Sequence, residues 1–375
     1  MITKPKHLYL HVPFCRTICS YCDFCHVGYQ ETVANQWLDT IKADIQNRHL
    51  NENLETIYIG GGTPTALSSS QLDQLLCLLD PYASMVQEYT IEINPETFDE
   101  DKAKILQKHG VNRASIGFQT SDEKLLQMMN RHHRLEDVAE TMKLLRKYGI
   151  DNISLDLMYS LPTQTMESLE KSLQDAIALE PTHLSLYSLT IEPNTVFAKK
   201  GYEHLDDDME ADMYEWICKI LPKYGFVQYE ISNFALNGYR SRHNSSYWNN
   251  KPYIGIGASA HSYDIGNPNA DQPATRSWNV SDIKQYMQEI EQGRRPSEQE
   301  TIDADTHYND LVMTALRTCE GINLQTLSPS YHKFLLNNAS SYIEQELLVI
   351  ENEYLKLTPQ GIFISNTIMS DLMIV

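Results

Sequence analysis

Six times within the first 190 residues, a short apolar run gives way to a longer amphipathic one. The apolar runs lie at 8–12, 56–60, 89–94, 113–118, 152–159 and 183–189, and their length and spacing read as strands. Between them the pattern predicts helices over 30–48, from Ser68–Ser70 onward, after Asp99, over 122–129 and 134–148, and over 165–179. Ser68 to Ser70 can satisfy the free N–H groups at the start of the second of these. Strands alternating with helices at short joints imply a parallel sheet with helices outside. Parallel strands need crossovers, and right-handed crossovers curl the sheet towards a barrel. Six units instead of eight leave it incomplete. The expected fold is α/β, an incomplete (β/α)6, three-quarter TIM-like barrel.

After residue 190 the alternation stops. Residues 206–226 read as a helix with acidic residues at its start, where the helix dipole favours them. A polar, aromatic stretch follows at 239–263. The last segment reads as three helices and a hairpin, the latter within "YLKLTPQGIFIS" at 354–365. The expected organisation is a barrel core over 1–200, an extension on its substrate side over 201–299, and a small α+β, winged-helix-like module over 300–375. That module has only Arg317, Lys333 and Lys356 as basic residues, so packing suits it better than DNA binding.

Charge narrows the function classes. Lys and Arg total 30 against 50 Asp and Glu, a net charge of −20. Such a surface repels phosphate backbones and anionic lipid, so no nucleic-acid partner is expected. No apolar run is long enough for a membrane span, and the N-terminus lacks a signal-peptide core. A cytoplasmic protein is expected. Seven cysteines, four of them crowded between positions 15 and 25, do not form a disulfide framework and point to a metal or redox site. Cys77, Cys218 and Cys319 lie in helical patterns and read as small buried hydrophobes.

In a parallel barrel the chemistry sits at the C-terminal ends of the strands. The first strand runs into Cys15, Cys19 and Cys22, spaced C-x3-C-x2-C. Thiolates suit iron–sulfur clusters or zinc. Three cysteines on a four-iron cluster leave one iron open to an exchangeable ligand. Zinc wants four ligands, and Cys25 could supply the fourth, although spacings of three, two and two crowd all four onto one loop. The second strand ends at "GGGTP", where Gly60, Gly61 and Gly62 allow close backbone approach or simply a tight turn. The third, fourth, fifth and sixth deliver Glu92, Gln119, Asp156, and Tyr187 with Thr190. Buried carboxylates need partners, and an ion pair or a ligand with an ammonium group and ribose hydroxyls would serve.

"YLHVPFCRTICSYCDF", "GGGTPT", "IEINPE", "SIGFQ", "LDLMYSLPTQT" and "SLYSLTIEPNT" together resemble the radical S-adenosylmethionine (SAM) superfamily. More narrowly, they resemble its oxygen-independent coproporphyrinogen III oxidase-like branch and, within that, the HemW-type haem-chaperone family. The similarity runs from about residue 7 to about 265, and the C-terminal module also fits. The resemblance implies a radical SAM barrel with a [4Fe–4S] cluster on Cys15, Cys19 and Cys22. The open iron would chelate the amino and carboxylate groups of SAM, and cluster reduction would yield a 5′-deoxyadenosyl radical. By matching motif, SAM contacts would come from Tyr9, Tyr21, Gly61, Gly62, Thr63, Glu92, Gln119, Arg131, Asp156 and Thr190.

Within that branch the alternatives are a chaperone, which binds haem and passes it on, and an oxidase, which decarboxylates coproporphyrinogen III. The oxidase carries an extension before its cysteine motif. Here the first cysteine is residue 15, which leaves no room for one and favours the chaperone. "HNSSYW" at 243–248 resembles the chaperones' H-N-x-x-Y-W stretch, implying haem contacts from His243, Tyr247 and Trp248. His243 would be the axial ligand, with His261 as a second candidate. A polar loop whose aromatics only pack is the alternative. His132 and His133 read as a solvated or SAM-proximal pair. Cys25 departs from the family pattern. The resemblance also implies a haem-acceptor protein and an electron donor, neither of which is written in the sequence.

Overall fold

A computed structural model of the chain describes residues 4–48, 50–266 and 272–375. The six expected strands are His7–Val12, Thr56–Gly61, Glu88–Ile93, Arg113–Gln119, Asn152–Tyr159 and His183–Ser188. They pair in chain order, all parallel. The crossover helices begin where the sequence can cap them. Ser68 and Gln71 form a reciprocal capping box at the start of Ser69–Ala83. Asp99 caps Glu100–Lys108, and Thr165 caps Met166–Ala178.

Each strand shows two faces, as a period of two requires. Leu8, Leu10, Val12, Ile57, Ile59, Ile91 and Ile116 face the helices and join the main core. Full burial of such a side chain contributes about 1.5–3 kcal/mol, so this face fixes the register. The opposite face carries Tyr58, Ser115, Asp156 and Ser185, which line a cavity instead of filling the barrel with apolar layers.

The sheet is larger than six strands. Tyr253–Ile256 adds a seventh parallel strand beside the first, with Leu8 opposite Ile254. Antiparallel strands His261–Asp264, Ala274–Asn279 and Ser297–Ile302 continue from it. At the other edge, Asn233–Ala235 and Val227–Glu230 add an antiparallel hairpin beyond the sixth strand. The twelve strands form one open sheet, so much of the segment after residue 200 extends the barrel wall on both sides. The six-fold alternation could not reveal this, because these strands join by hairpins and long returns and not by βα units.

A second core gathers Tyr308, Val312, Leu335, Leu355 and Ile368. Its hairpin is Leu348–Glu351 with Tyr354–Leu357, joined by Ile322–Asn323. The expected hairpin over 354–365 is therefore misplaced by one strand. Residues 359–362 are helical, started by the Thr358 cap with Pro359 at the first helical position. This module is tied to the sheet by backbone bonds Ile231 N–H to Arg317 C=O and Cys319 N–H to Tyr229 C=O. No helix among the described residues is long and apolar enough to cross a membrane.

Candidate functional site

The first strand runs straight into the cysteine loop. Two-residue strands Phe14–Cys15 and Val27–Gly28 pair in parallel and close the loop at its base. Phe14 packs edge-on against the buried Trp37 of the first crossover helix, with ring centroids 5.5 Å apart. His11 Nε2 donates to the Cys25 carbonyl at 2.8 Å. Its Nδ1 therefore accepts from the Tyr9 hydroxyl at 3.0 Å. Burial lowers the His11 pKa, in keeping with this neutral tautomer.

Cys15, Cys19 and Cys22 line a cavity of about 460 Å³ at the C-terminal ends of the strands. Burial pushes the Cys15 thiol up to about 11 and the Cys22 thiol up to about 12. Cys25 is turned away, its Sγ 3.1 Å from the Ser281 carbonyl. Among the described residues, the one trio of such ligand atoms lying mutually within 4.8 Å is Asp73, Cys77 and His109. The three loop sulfurs are thus spaced more widely than ligands of a single ion.

The glycine loop lies flat against this base. Gly62 N–H donates to the Val12 carbonyl and Thr63 N–H to the Phe14 carbonyl, both at 2.8 Å. A Cβ at Gly62 would stand 2.9 Å from the Phe14 carbonyl oxygen. Gly61 has φ of +112°, and a Cβ there would meet the His11 ring at 2.5 Å. The glycines therefore serve a close approach of two loops. Thr63 Oγ1 also donates to Cys15 Sγ at 3.6 Å.

Polar groups from the other strands converge on the same space. Glu92 accepts from the Tyr58 hydroxyl at 2.8 Å and from Gly61 N–H at 2.9 Å. Burial nonetheless pushes its carboxyl up to about 7. Asp156 accepts from Ser115 Oγ at 3.0 Å and is also raised by burial. Gln119 adopts the left-handed φ of 64° at a register shift in the fourth strand, a local distortion that re-aims the chain at a functional rim. Arg131 donates to the Gly117 carbonyl at 3.2 Å and to the Tyr21 hydroxyl at 3.3 Å. Its Nε is buried without a partner. Thr190 lines the cavity as well.

Tyr9 is the exception in this set. It does not line the cavity and acts one layer back, through His11. The cavity instead takes Tyr58, Arg113, Ser115, Ser185 and Asn244, which the sequence reading did not single out. The strand parity that marks Glu92 and Asp156 also marks Tyr58 and Ser185, which lack a chemical signature of their own. His132 is exposed and His133 buried, with His133 Nε2 donating to the Phe118 carbonyl at 3.0 Å, so His133 is part of the scaffold.

At His243 the surroundings weigh against the expected haem ligation. "HNSSYW" is a helix, Arg242–Trp248, whose first N–H groups are held by the Glu88 carboxylate at 2.7 and 2.8 Å. His243 is 1% exposed. Its Nδ1 is 2.8 Å from Thr56 Oγ1 and its Nε2 is 2.8 Å from the Tyr247 hydroxyl. Burial lowers its pKa to about 3. Both nitrogens are thus engaged by neighbouring hydroxyls. Tyr247 thereby serves as a hydrogen-bond partner, and Trp248 carries the Arg317 guanidinium 4.9 Å from its ring centroid. Only Asn244 of this helix reaches the cavity. His261 is exposed and stacks on Trp278 with centroids 6.0 Å apart.

Such a barrel, with three cysteines on the loop after its first strand, defines the class of radical SAM proteins. The Radical SAM superfamily matches residues 9–176 and the HemN C-terminal domain matches 302–364. Superposition on coproporphyrinogen III oxidase (HemN) from Escherichia coli gives a TM-score of 0.84 at 21% identity, over 99% of this chain and 90% of that one, a likeness of fold. The heme chaperone HemW of Bacillus subtilis is 36% identical over 97% of this chain and 98% of its own length. The Lactococcus lactis HemW is 34% identical over 98% and 97%, and the Escherichia coli HemW 38% over 68% and 70%. The chain belongs to the heme chaperone HemW family.

Superfamily membership implies a [4Fe–4S] cluster and SAM. The residues present fit both. The three cysteines line one cavity, while the Cys25 sulfur meets the Ser281 carbonyl instead. The orphaned Arg131 Nε supplies a buried donor for an anionic group.

Proposed function

We propose that this chain is a haem chaperone that holds a [4Fe–4S] cluster on Cys15, Cys19 and Cys22, binds SAM beside it, binds haem, and hands haem to an acceptor protein. The observation that carries this is the similarity, along nearly the whole chain, to proteins named heme chaperones. When bound, the cluster and SAM supply one-electron chemistry. The chain's own residues bind and orient. Arg131 would meet the SAM carboxylate, and Glu92 and Asp156 its hydroxyl or ammonium donors, with Gln119, Thr63 and Thr190 completing the wall. Tyr21, whose hydroxyl accepts from Arg131, would pack on adenine. The acceptor is a haem protein, the setting is the cytoplasm, and an electron donor would be needed for any SAM cleavage.

For haem, His261 is the accessible one of the two candidate histidines, and we assign it the ligand role in preference to His243. An anaerobic experiment tests the whole reading. Reconstituted protein receives SAM, reductant and coproporphyrinogen III, and is separately titrated with haemin and mixed with an apo-haem protein. The expected result is a Soret shift, haem transfer, and no protoporphyrinogen. Decarboxylated product would establish the oxidase alternative, and absence of a Soret shift would overturn haem binding. His261→Ala should weaken haemin binding while leaving iron content unchanged. An unaltered titration would reject that ligand.

A further inference from the structure

On the outer face of the barrel, away from the cavity, a second group of ligand-type side chains meets. Asp73, Cys77 and Asp80 share one face of helix Ser69–Ala83, and His109 caps the C-terminal end of helix Glu100–Lys108. One ligand atom each from Asp73, Cys77 and His109 lie within 4.8 Å of one another. The His109 side chain is 1% exposed, whereas Cys77 is open to solvent. Its Nε2 is 2.9 Å from Asp73 Oδ1 and its Nδ1 is 2.7 Å from Asp80 Oδ1.

We propose that Asp73, Cys77 and His109 form a site for a borderline-soft divalent transition metal, zinc foremost, with Asp80 as the positioning residue for the imidazole. The donor set is one thiolate, one imidazole and one carboxylate, a combination that tetrahedral zinc accepts with a fourth position left to water. Asp80 accepts from Nδ1–H, which leaves Nε2, facing Asp73, as the nitrogen that would bind the ion once its proton is displaced. Carboxylate–histidine–metal triads have this arrangement. Two of the three ligands are four residues apart on one helix, and the third is buried, so the imidazole is already placed. The Lys108 ammonium lies 2.6 Å from Asp73 Oδ1 and is 58% exposed. It occupies the place of a cation there and can swing into solvent when a divalent ion arrives. The alternative is a metal-free ion cluster of Lys108, Asp73, His109 and Asp80, in which Cys77 has no part. Bound metal would tie the second crossover helix to the third and brace neighbouring units of the barrel.

Iron-reconstituted protein is equilibrated with zinc against a chelator of known affinity, and both metals are counted by mass spectrometry. One zinc per chain is expected beyond that held by Cys77→Ser, with Asp73→Asn losing it as well. Asp80→Asn should weaken retention about 10–100-fold. Cys319→Ser, at the other exposed cysteine, should keep it. Iron should be equal throughout, which separates this site from the cluster loop. Equal zinc in the parent and in Cys77→Ser, at matched thermal midpoints without zinc, would overturn the proposal.

Discussion

Glu92 stands where a carboxylate is costly, and the cost has a measurable sign. Its folded value is pushed up to about 7 from an ordinary 4.5, with burial the largest cause. Between those values the folded chain holds a proton that the unfolded chain has released. Stability of the ligand-free protein therefore falls as pH rises across that window and is flat above it. Glu92→Gln should remove this slope, read as thermal midpoint against pH. SAM binding should run the other way, tightening as Glu92 ionises through about pH 7. The same variant should weaken it about 10- to 100-fold, the value of hydrogen bonds to a charged group, and a calorimetric titration with unchanged affinity would contradict this. At the cysteines, Cys25→Ser should keep its iron and Cys19→Ser should lose it, because only the latter faces the cavity; equal iron loss would return Cys25 to the ligand set. Glu92 and Asp156 could be read from the strand ends because charge on a buried strand is rare. Tyr58 and Ser115 could not, since tyrosine and serine at such positions are commonplace.

At the scale of elements, the cysteine loop is ordered by its neighbours. The two-residue strand pair closes its base, His11 holds the Cys25 carbonyl, and the glycine loop packs beneath. Gly62→Ala would place a methyl 2.9 Å from the Phe14 carbonyl oxygen, backbone that cannot rotate aside. Reduced iron content after reconstitution is expected, with far-ultraviolet circular dichroism unchanged. Full iron loading would show that the loop tolerates the shift. Helix Arg242–Trp248 shows the limit of motif reading. Its histidine and aromatics suit haem chemically, yet Thr56, Tyr247 and Glu88 claim them as parts of the barrel floor. A motif names residue types, and partners decide their use.

Among the described residues, the main core on the twelve-stranded sheet and the C-terminal core are the two largest apolar clusters. Their junction contains Glu230, whose side chain is 1% exposed and lies 3.4 Å from Arg317. Arg317→Ala would leave this buried carboxylate only the Ser232 N–H and Asn233 amide donors, a loss of about 1.5–3 kcal/mol for a hydrogen bond to a charged group. Chemical unfolding should show an earlier transition for the C-terminal module, and a single unshifted transition would exclude this coupling. By itself the sequence determined the six βα units, the helix starts at Ser68, Asp99 and Thr165, and the three-cysteine spacing. These rest on periodicity, capping and chain-local spacing, which act over a few residues. Only the tertiary structure decided that strands after residue 226 extend the sheet at both edges, that Cys25 meets Ser281, and that both His243 nitrogens are engaged by hydroxyls. Those outcomes depend on contacts between distant positions. Cys25 meets Ser281 across 256 positions and Thr56 meets His243 across 187, separations at which local pattern carries no information.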